Sequence, residues 1–256
     1  MTLRESLARG AAPSPPGTLH ARSVAGGIRV APAAARVVRF GRDKDEVDLC
    51  VGEDDLRVSR RHGELAYRRS TWWLRNTGQQ LVRLPRGRLM HLSTEPIPLA
   101  PGYTPLFVKG SGHREHLVEL YVADDGEDGR VPRHRAETLP PKRWPLSDEE
   151  RLFLVVLGQQ YLQYESEPRP LSYRQAAERL AYLPGGGAWT KRVVEHRIEN
   201  VRHRLARGGF PYQVVRGDDG SGPSDNDLKH NLLRGLVEST TLVPPDLELL
   251  DDDFPS

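Results

Sequence analysis

Two short stretches of the 256-residue chain place side chains suited to holding a phosphoryl group. They are Phe40-Gly41-Arg42 and Val58-Ser59-Arg60-Arg61-His62. A phosphorylated hydroxyl carries nearly two negative charges and three strong acceptor oxygens at neutral pH. Its natural partners are guanidinium, hydroxyl and backbone N–H donors. Arg42, Ser59 and Arg60 supply the side-chain donors of that set.

Two further blocks frame them, Val47-Asp48-Leu49 and Trp73-Leu74-Arg75-Asn76-Thr77-Gly78. The four blocks in this order resemble the forkhead-associated (FHA) domain, a β-sandwich that binds phosphothreonine peptides. The resemblance covers residues 18–122. It implies that Arg42 and Ser59 hold the phosphate, that Arg60 sits beside it, and that Gly41 permits the loop geometry while His62 braces the loop from within. Asn76 and Gln80 complete the expected peptide-binding set. Where the family usually has an Asn-Gly pair that holds the peptide backbone, this chain has Gln79-Gln80, and Gln80 offers the same amide on a longer stem. The implied partner is a phosphothreonine-containing protein, the target of a Ser/Thr kinase.

The elements that must position these residues are short. Apolar stretches separated by turn residues recur at 18–31, 36–40, 47–51, 63–67, 72–74, 81–84, 105–108 and 117–122, a spacing that predicts an all-β sandwich. The segment 1–17, rich in Ala, Pro, Ser and Gly, reads as a disordered leader. Residues 124–144 read as a linker, with Asp-Asp-Gly, Glu-Asp-Gly and a Pro pair.

Beyond the linker the apolar period changes to that of a helix. Ser147-Asp148-Glu149-Glu150 and Ser172-Tyr173-Arg174-Gln175 are capping boxes, because Ser and Glu or Gln three residues apart satisfy exposed amides reciprocally. The pattern predicts helices over 148–164, 172–183 and 190–207, a Gly185-Gly186-Gly187 turn, a short β-prone piece at 210–215, and one more helix around 228–237. The fold class expected is therefore an all-β sandwich over 18–123, followed by a small all-α, helix-turn-helix-like domain over 145–240. Residues 241–256 read as an acidic tail.

Between Arg169 and Arg216 ten Lys and Arg face three acids, a net of +7. Such a segment has the electrostatic character of a phosphate-backbone binder. The third helix also resembles the recognition helices of bacterial response-regulator effector domains and sigma-factor region 4. With Val194, Ile198, Val201 and Leu205 as its core stripe, Arg192, His196, Glu199 and His203 point away from it, and Arg202, Arg204 and Arg207 lie nearer to phosphates. Duplex DNA is one partner this implies, with Arg192, His196, Arg202, His203 and Arg204 as contacts. The alternative is a solvated Arg-rich helix that docks a protein partner, which Glu195 and Glu199 favour because phosphates repel them.

Enzyme classes find no support. The chain has no Walker-type loop, no Gly-x-Ser-x-Gly elbow and no His-Glu-x-x-His helix. His196 and His203 lack a Cys or carboxylate at ligand spacing, so neither a metal nor a cofactor is expected. Cys50 stands alone, which excludes an internal disulfide. The longest apolar run, 152–157, is far too short to span a bilayer, and a cytoplasmic protein is the default reading.

Overall fold

Along residues 37–40, Val38 and Phe40 are buried while Arg39 faces solvent, the two-residue alternation of a strand with one face in a core. The computed structural model describes residues 6–124, 142–183, 189–217 and 222–250. The chain divides into two compact units, Met1–Glu137 and Thr138–Ser256.

The first unit contains β1 (Leu19–Ser23), β2 (Gly26–Val30), β3 (Val37–Gly41), β4 (Leu49–Cys50), β5 (Gly63–Arg68), β6 (Thr71–Asn76), β7 (Val82–Arg83), β8 (Leu89–Met90), β9 (Ile97–Pro98), β10 (Gly102–Lys109) and β11 (Glu115–Val122). They form two sheets, ordered β2-β1-β11-β10-β7-β8 and β4-β3-β5-β6-β9. Leu19, Phe40, Leu65, Trp72, Leu74, Leu106 and Leu120 fill the core of this sandwich. β8 and β9 fall outside the stretches read from the sequence.

The register of the second sheet builds the functional end. Phe40 lies opposite Gly63, and Gly63 lies opposite Asn76. Three chain segments, 41–42, 59–62 and 76–80, therefore leave the sheet side by side. The Phe40 ring occupies the space where a Cβ on Gly63 would sit, 2.2 Å from Cζ.

The second unit contains α1 (Asp148–Leu157), α2 (Gln159–Leu162), α3 (Tyr173–Ala181), α4 (Lys191–Arg207) and α5 (Asp225–Glu238). Both predicted capping boxes are formed, and Ser224 with Asp227 makes a third at α5. The helix expected over 148–164 is interrupted at Gly158, after which α2 makes one further turn. Residues 210–215 form no strand, because Phe210 and Val214 join the helical core instead. The expected glycine turn at 185–187 lies outside the described residues.

Three boundaries differ from the sequence reading. The expected leader is placed from Ser6 onward: Ser6 is buried, and its hydroxyl donates to the Glu119 carboxylate, which also accepts from Tyr103 at 2.9 Å. At the other end of the unit, residues 125–141 of the expected linker lie outside the described residues. Trp144, assigned to that linker, is buried with its N–H on Thr241 Oγ1.

The expected tail is, over 241–250, part of the helical unit. Leu242 and Val243 are buried, and Asp246 accepts from the N–H of Val243 at 2.9 Å and from Arg151 Nη1 at 3.0 Å. An acidic composition hides this anchor because the cationic partner of Asp246, Arg151, is far away in sequence. Among the described residues no helix is long and apolar enough to cross a membrane.

Replacing Asp246 by Ala would leave Arg151 as a nearly buried, uncompensated charge. The expected cost is about 3 kcal/mol, read as a lowered denaturation midpoint of the helical transition.

Candidate functional site

Arg42 and Ser59 meet through their backbones: the N–H of Arg42 donates to the carbonyl of Ser59 at 3.2 Å, and that of Asp43 to the carbonyl of Arg60 at 3.4 Å. This close pairing is why residue 41 is glycine. A Cβ there would lie 2.2 Å from the Arg60 carbonyl oxygen, so any side chain would force the two segments apart.

Arg42 is half-buried. Its Nε is shielded from solvent and makes no hydrogen bond, and among the described residues no carboxylate pairs with the group. Ser59 Oγ accepts from the N–H of Gln79 at 3.2 Å, which leaves its hydroxyl proton directed at no acceptor among the described residues. Arg60 is exposed, with Nε 3.9 Å from Asp43, a distance that leaves it available to a stronger anion.

His62 holds these parts together. It is fully buried, and its Nδ1 accepts from the N–H of Ser59 at 3.1 Å, so the ring proton is on Nε2, which donates to the Gln80 carbonyl at 3.1 Å. The backbone carbonyl of His62 accepts from Thr77 and Gly78. Gly78 has no Cβ because one would lie 2.8 Å from the imidazole ring. Burial pushes the His62 pKa down to about 4, and the neutral ring is the form both hydrogen bonds require.

Asn76 is a correction. It was expected to bind peptide, yet it is fully buried: its Nδ2 donates to the carbonyls of Gln80 at 2.9 Å and Met90 at 3.0 Å, while Oδ1 accepts from the N–H of Gly78 at 2.9 Å. It braces the loop and cannot reach a ligand. Gln80 contributes its backbone carbonyl to the bonds from Asn76 and His62, and the residue bonded to Ser59 Oγ, through its backbone N–H, is the exposed Gln79.

Sequence reasoning also missed a second brace. Asp55 is buried and accepts from Ser111 and His116, across the β10–β11 hairpin. The residue types resemble a hydrolytic triad, but the carboxylate sits between Ser111 and His116, so no base reaches the Ser111 hydroxyl. No local spacing could signal a pairing across more than fifty residues.

In the helical unit three of the six Lys and Arg of α4 pair with acids of other helices, which corrects the expectation for Arg202. Arg202, expected to reach phosphates, is buried and pairs with Asp225 at 3.0 Å. Arg204 pairs with Glu150 at 2.7 Å and donates to the Pro145 carbonyl. Arg197 pairs with Glu149 at 3.5 Å. Arg192, His196 and His203 are exposed, with His196 near Asn200 and His203 near Glu199 on the same helix. The wheel argument placed Arg202 off the core stripe, but Asp225, the first residue of α5, pairs with it there. No group of ligands that could hold a metal occurs among the described residues.

No known family model matches the chain, and no curated protein matches it. Among solved structures it is similar to the FHA-1 domain of Rv1747 from Mycobacterium tuberculosis, at 19% identity over 43% of this chain and 99% of that one, with a TM-score of 0.33. An Arabidopsis thaliana FHA domain matches at 12% identity over 47% of this chain and all of that one, with a TM-score of 0.34. The yeast Dun1 FHA domain, solved with a doubly phosphorylated peptide, matches at 13% identity over 53% of this chain and 96% of that one, with a TM-score of 0.31.

Because the folded His62 resists protonation, the unfolded chain binds more protons between pH 6.5 and about 4. Stability contributed by this group is fully present above pH 6.5 and is lost as pH falls through that window, by on the order of 3 kcal/mol in all. His62→Gln should lower stability at pH 7 and flatten this slope. Comparing the two slopes isolates His62 from His20, whose lowered pKa acts in the same sense, and from Glu119, whose raised pKa acts in the opposite one. In the helical unit, Arg202→Ala should lower thermal stability, costing about 2 kcal/mol for the lost charged hydrogen bond, with no change in retention on duplex DNA.

Proposed function

We propose that the N-terminal unit recognises phosphothreonine in a partner protein and that the chain works as a phosphorylation-dependent adaptor. The observation that carries this reading is half-buried Arg42, without a counter-ion among the described residues, on a segment whose backbone is hydrogen-bonded to that of Ser59. A dianionic phosphate would accept from Arg42 and Ser59 together, and Arg60 would turn from Asp43 to meet it. The order of the four sequence blocks points to threonine as the phosphorylated residue. Binding calls for no cofactor, since every group it uses is a donor of this chain.

For the helical unit, the internal pairing of Arg197, Arg202 and Arg204 favours docking of a protein over contact with a phosphate backbone. Retention of the full chain on duplex DNA, falling steeply with salt, would reverse that preference.

Calorimetry of the full chain with a phosphothreonine peptide and its unphosphorylated form tests the first reading. Arg42→Ala should weaken phosphopeptide binding by about 1.5–3 kcal/mol, the range for hydrogen bonds to a charged group. Arg42→Lys should recover only part of it, because an ammonium lacks the planar donor fork. Equal affinity for the two peptides would refute the reading.

A further inference from the structure

In the second unit the first residues of two helices meet. Tyr173 opens α3, Asp225 opens α5, and the Tyr173 hydroxyl donates to Asp225 Oδ1 at 3.3 Å. Two cations reach the same carboxylate: Arg202 of α4, with Nη1 3.0 Å from Oδ1, and Lys229 of α5, with Nζ 3.4 Å from Oδ2. Lys229 also lies over the Tyr173 ring, its Nζ 4.6 Å from the ring centre. Arg202 and Lys229 are only 8% and 4% exposed. Arg202 Nε is shielded from solvent and has no hydrogen-bond partner among the described residues.

The charge here does not balance. Removing a cation from water is expensive unless an anion goes with it, and the withdrawn Arg83 and Arg151 each have a carboxylate of their own. Arg202 and Lys229 share one, whose side chain is 40% exposed and marks the side open to solvent. Glu195, whose charge is felt at Tyr173, pairs with neither cation, and Asp227 is taken up by the cap of α5. The two helix N-termini add partial positive charge, and the first turn of α3 carries no acid to offset it. Burial raises the Tyr173 pKa, so its hydroxyl stays a donor.

We propose that Arg202 and Lys229, set at the N-termini of α3 and α5, form a binding site for a carboxylate. Two cations against Asp225 leave one positive charge unmatched. A singly charged carboxylate cancels it, whereas a phosphate dianion would overshoot and repel Asp225. A small free acid and an Asp or Glu side chain of a docked protein present the same group. The site belongs to the helical unit and does not depend on the phosphothreonine reading of the other.

The test melts the full chain at neutral pH and constant ionic strength in chloride, acetate or phosphate, and in chloride with the blocked peptide acetyl-Ala-Glu-Ala-amide, following helical circular dichroism. Each melt is repeated with Lys229→Met, which keeps an apolar stem and removes the charge, so that the difference between the two proteins cancels general salt effects. Acetate or the peptide at several times its Kd should raise the wild-type midpoint by roughly 5 °C more than that of the variant, and phosphate should do so by less. A rise with acetate alone supports a site for a free acid, and a rise with the peptide supports one for a docked acidic side chain. Lys229→Arg should retain the effect, as should Arg42→Ala, which lacks the candidate cation of the other unit. Equal responses of wild type and Lys229→Met, a larger effect of phosphate, or loss of the effect in Arg42→Ala would overturn the inference. Where Lys229→Met does not fold, an acetate midpoint no higher than the chloride midpoint in the Arg42→Ala chain overturns it by itself.

Discussion

The candidate site depends on one neutral imidazole. His62 accepts from the loop that carries Ser59 and donates to the loop that carries Gln79 and Gln80, and its own carbonyl holds Thr77 and Gly78. Each bond is individually modest, but in a buried network an unmade bond costs the full desolvation of its partners. The ring can serve both loops only while uncharged, since a proton on Nδ1 would replace an acceptor by a donor. Burial supplies that condition by depressing the pKa. Gly41 and Gly78 then matter for what they lack, one admitting the Arg60 carbonyl and the other the imidazole.

Against this scaffold the treatment of arginines is informative. Three arginines largely withdrawn from solvent are each accompanied by a carboxylate: Arg83 with Glu115, Arg151 with Asp246, Arg202 with Asp225. Taking a guanidinium out of water without an anion is expensive. Arg42 departs from the pattern, half-buried with no carboxylate accompanying it among the described residues. Under the proposed function that cation meets the phosphate of the partner, and Ser59 lies on the neighbouring segment.

The helical unit uses similar chemistry for an internal end. Its most basic helix packs Val194, Ile198, Val201 and Leu205 into the core and ties its arginine flanks to Glu149 and Glu150 at the first turn of α1 and to Asp225 at the first turn of α5. Those acids favourably occupy helix N-termini while serving as counter-ions to α4. A count of charge along the chain reads such a helix as an electrostatic surface, although much of that charge is already neutralised across helix boundaries.

What the sequence by itself determined was local. Alternation of apolar residues marked most strands of the sandwich, capping boxes at Ser147 and Ser172 marked helix starts, and the Gly-Arg and Ser-Arg-Arg-His blocks marked the donors of the site. These signals are legible because their physics acts between residues a few positions apart. Tertiary structure alone decided that Asn76 is a buried brace, that Asp55 is clamped by Ser111 and His116, that Ser6 caps Glu119, and that Arg202 and Arg204 are neutralised. Asn76 is held by neighbours two to fourteen residues on, its inward orientation being settled by the sheet, whereas the other outcomes depend on partners far along the chain, and no spacing rule within one segment contains that information.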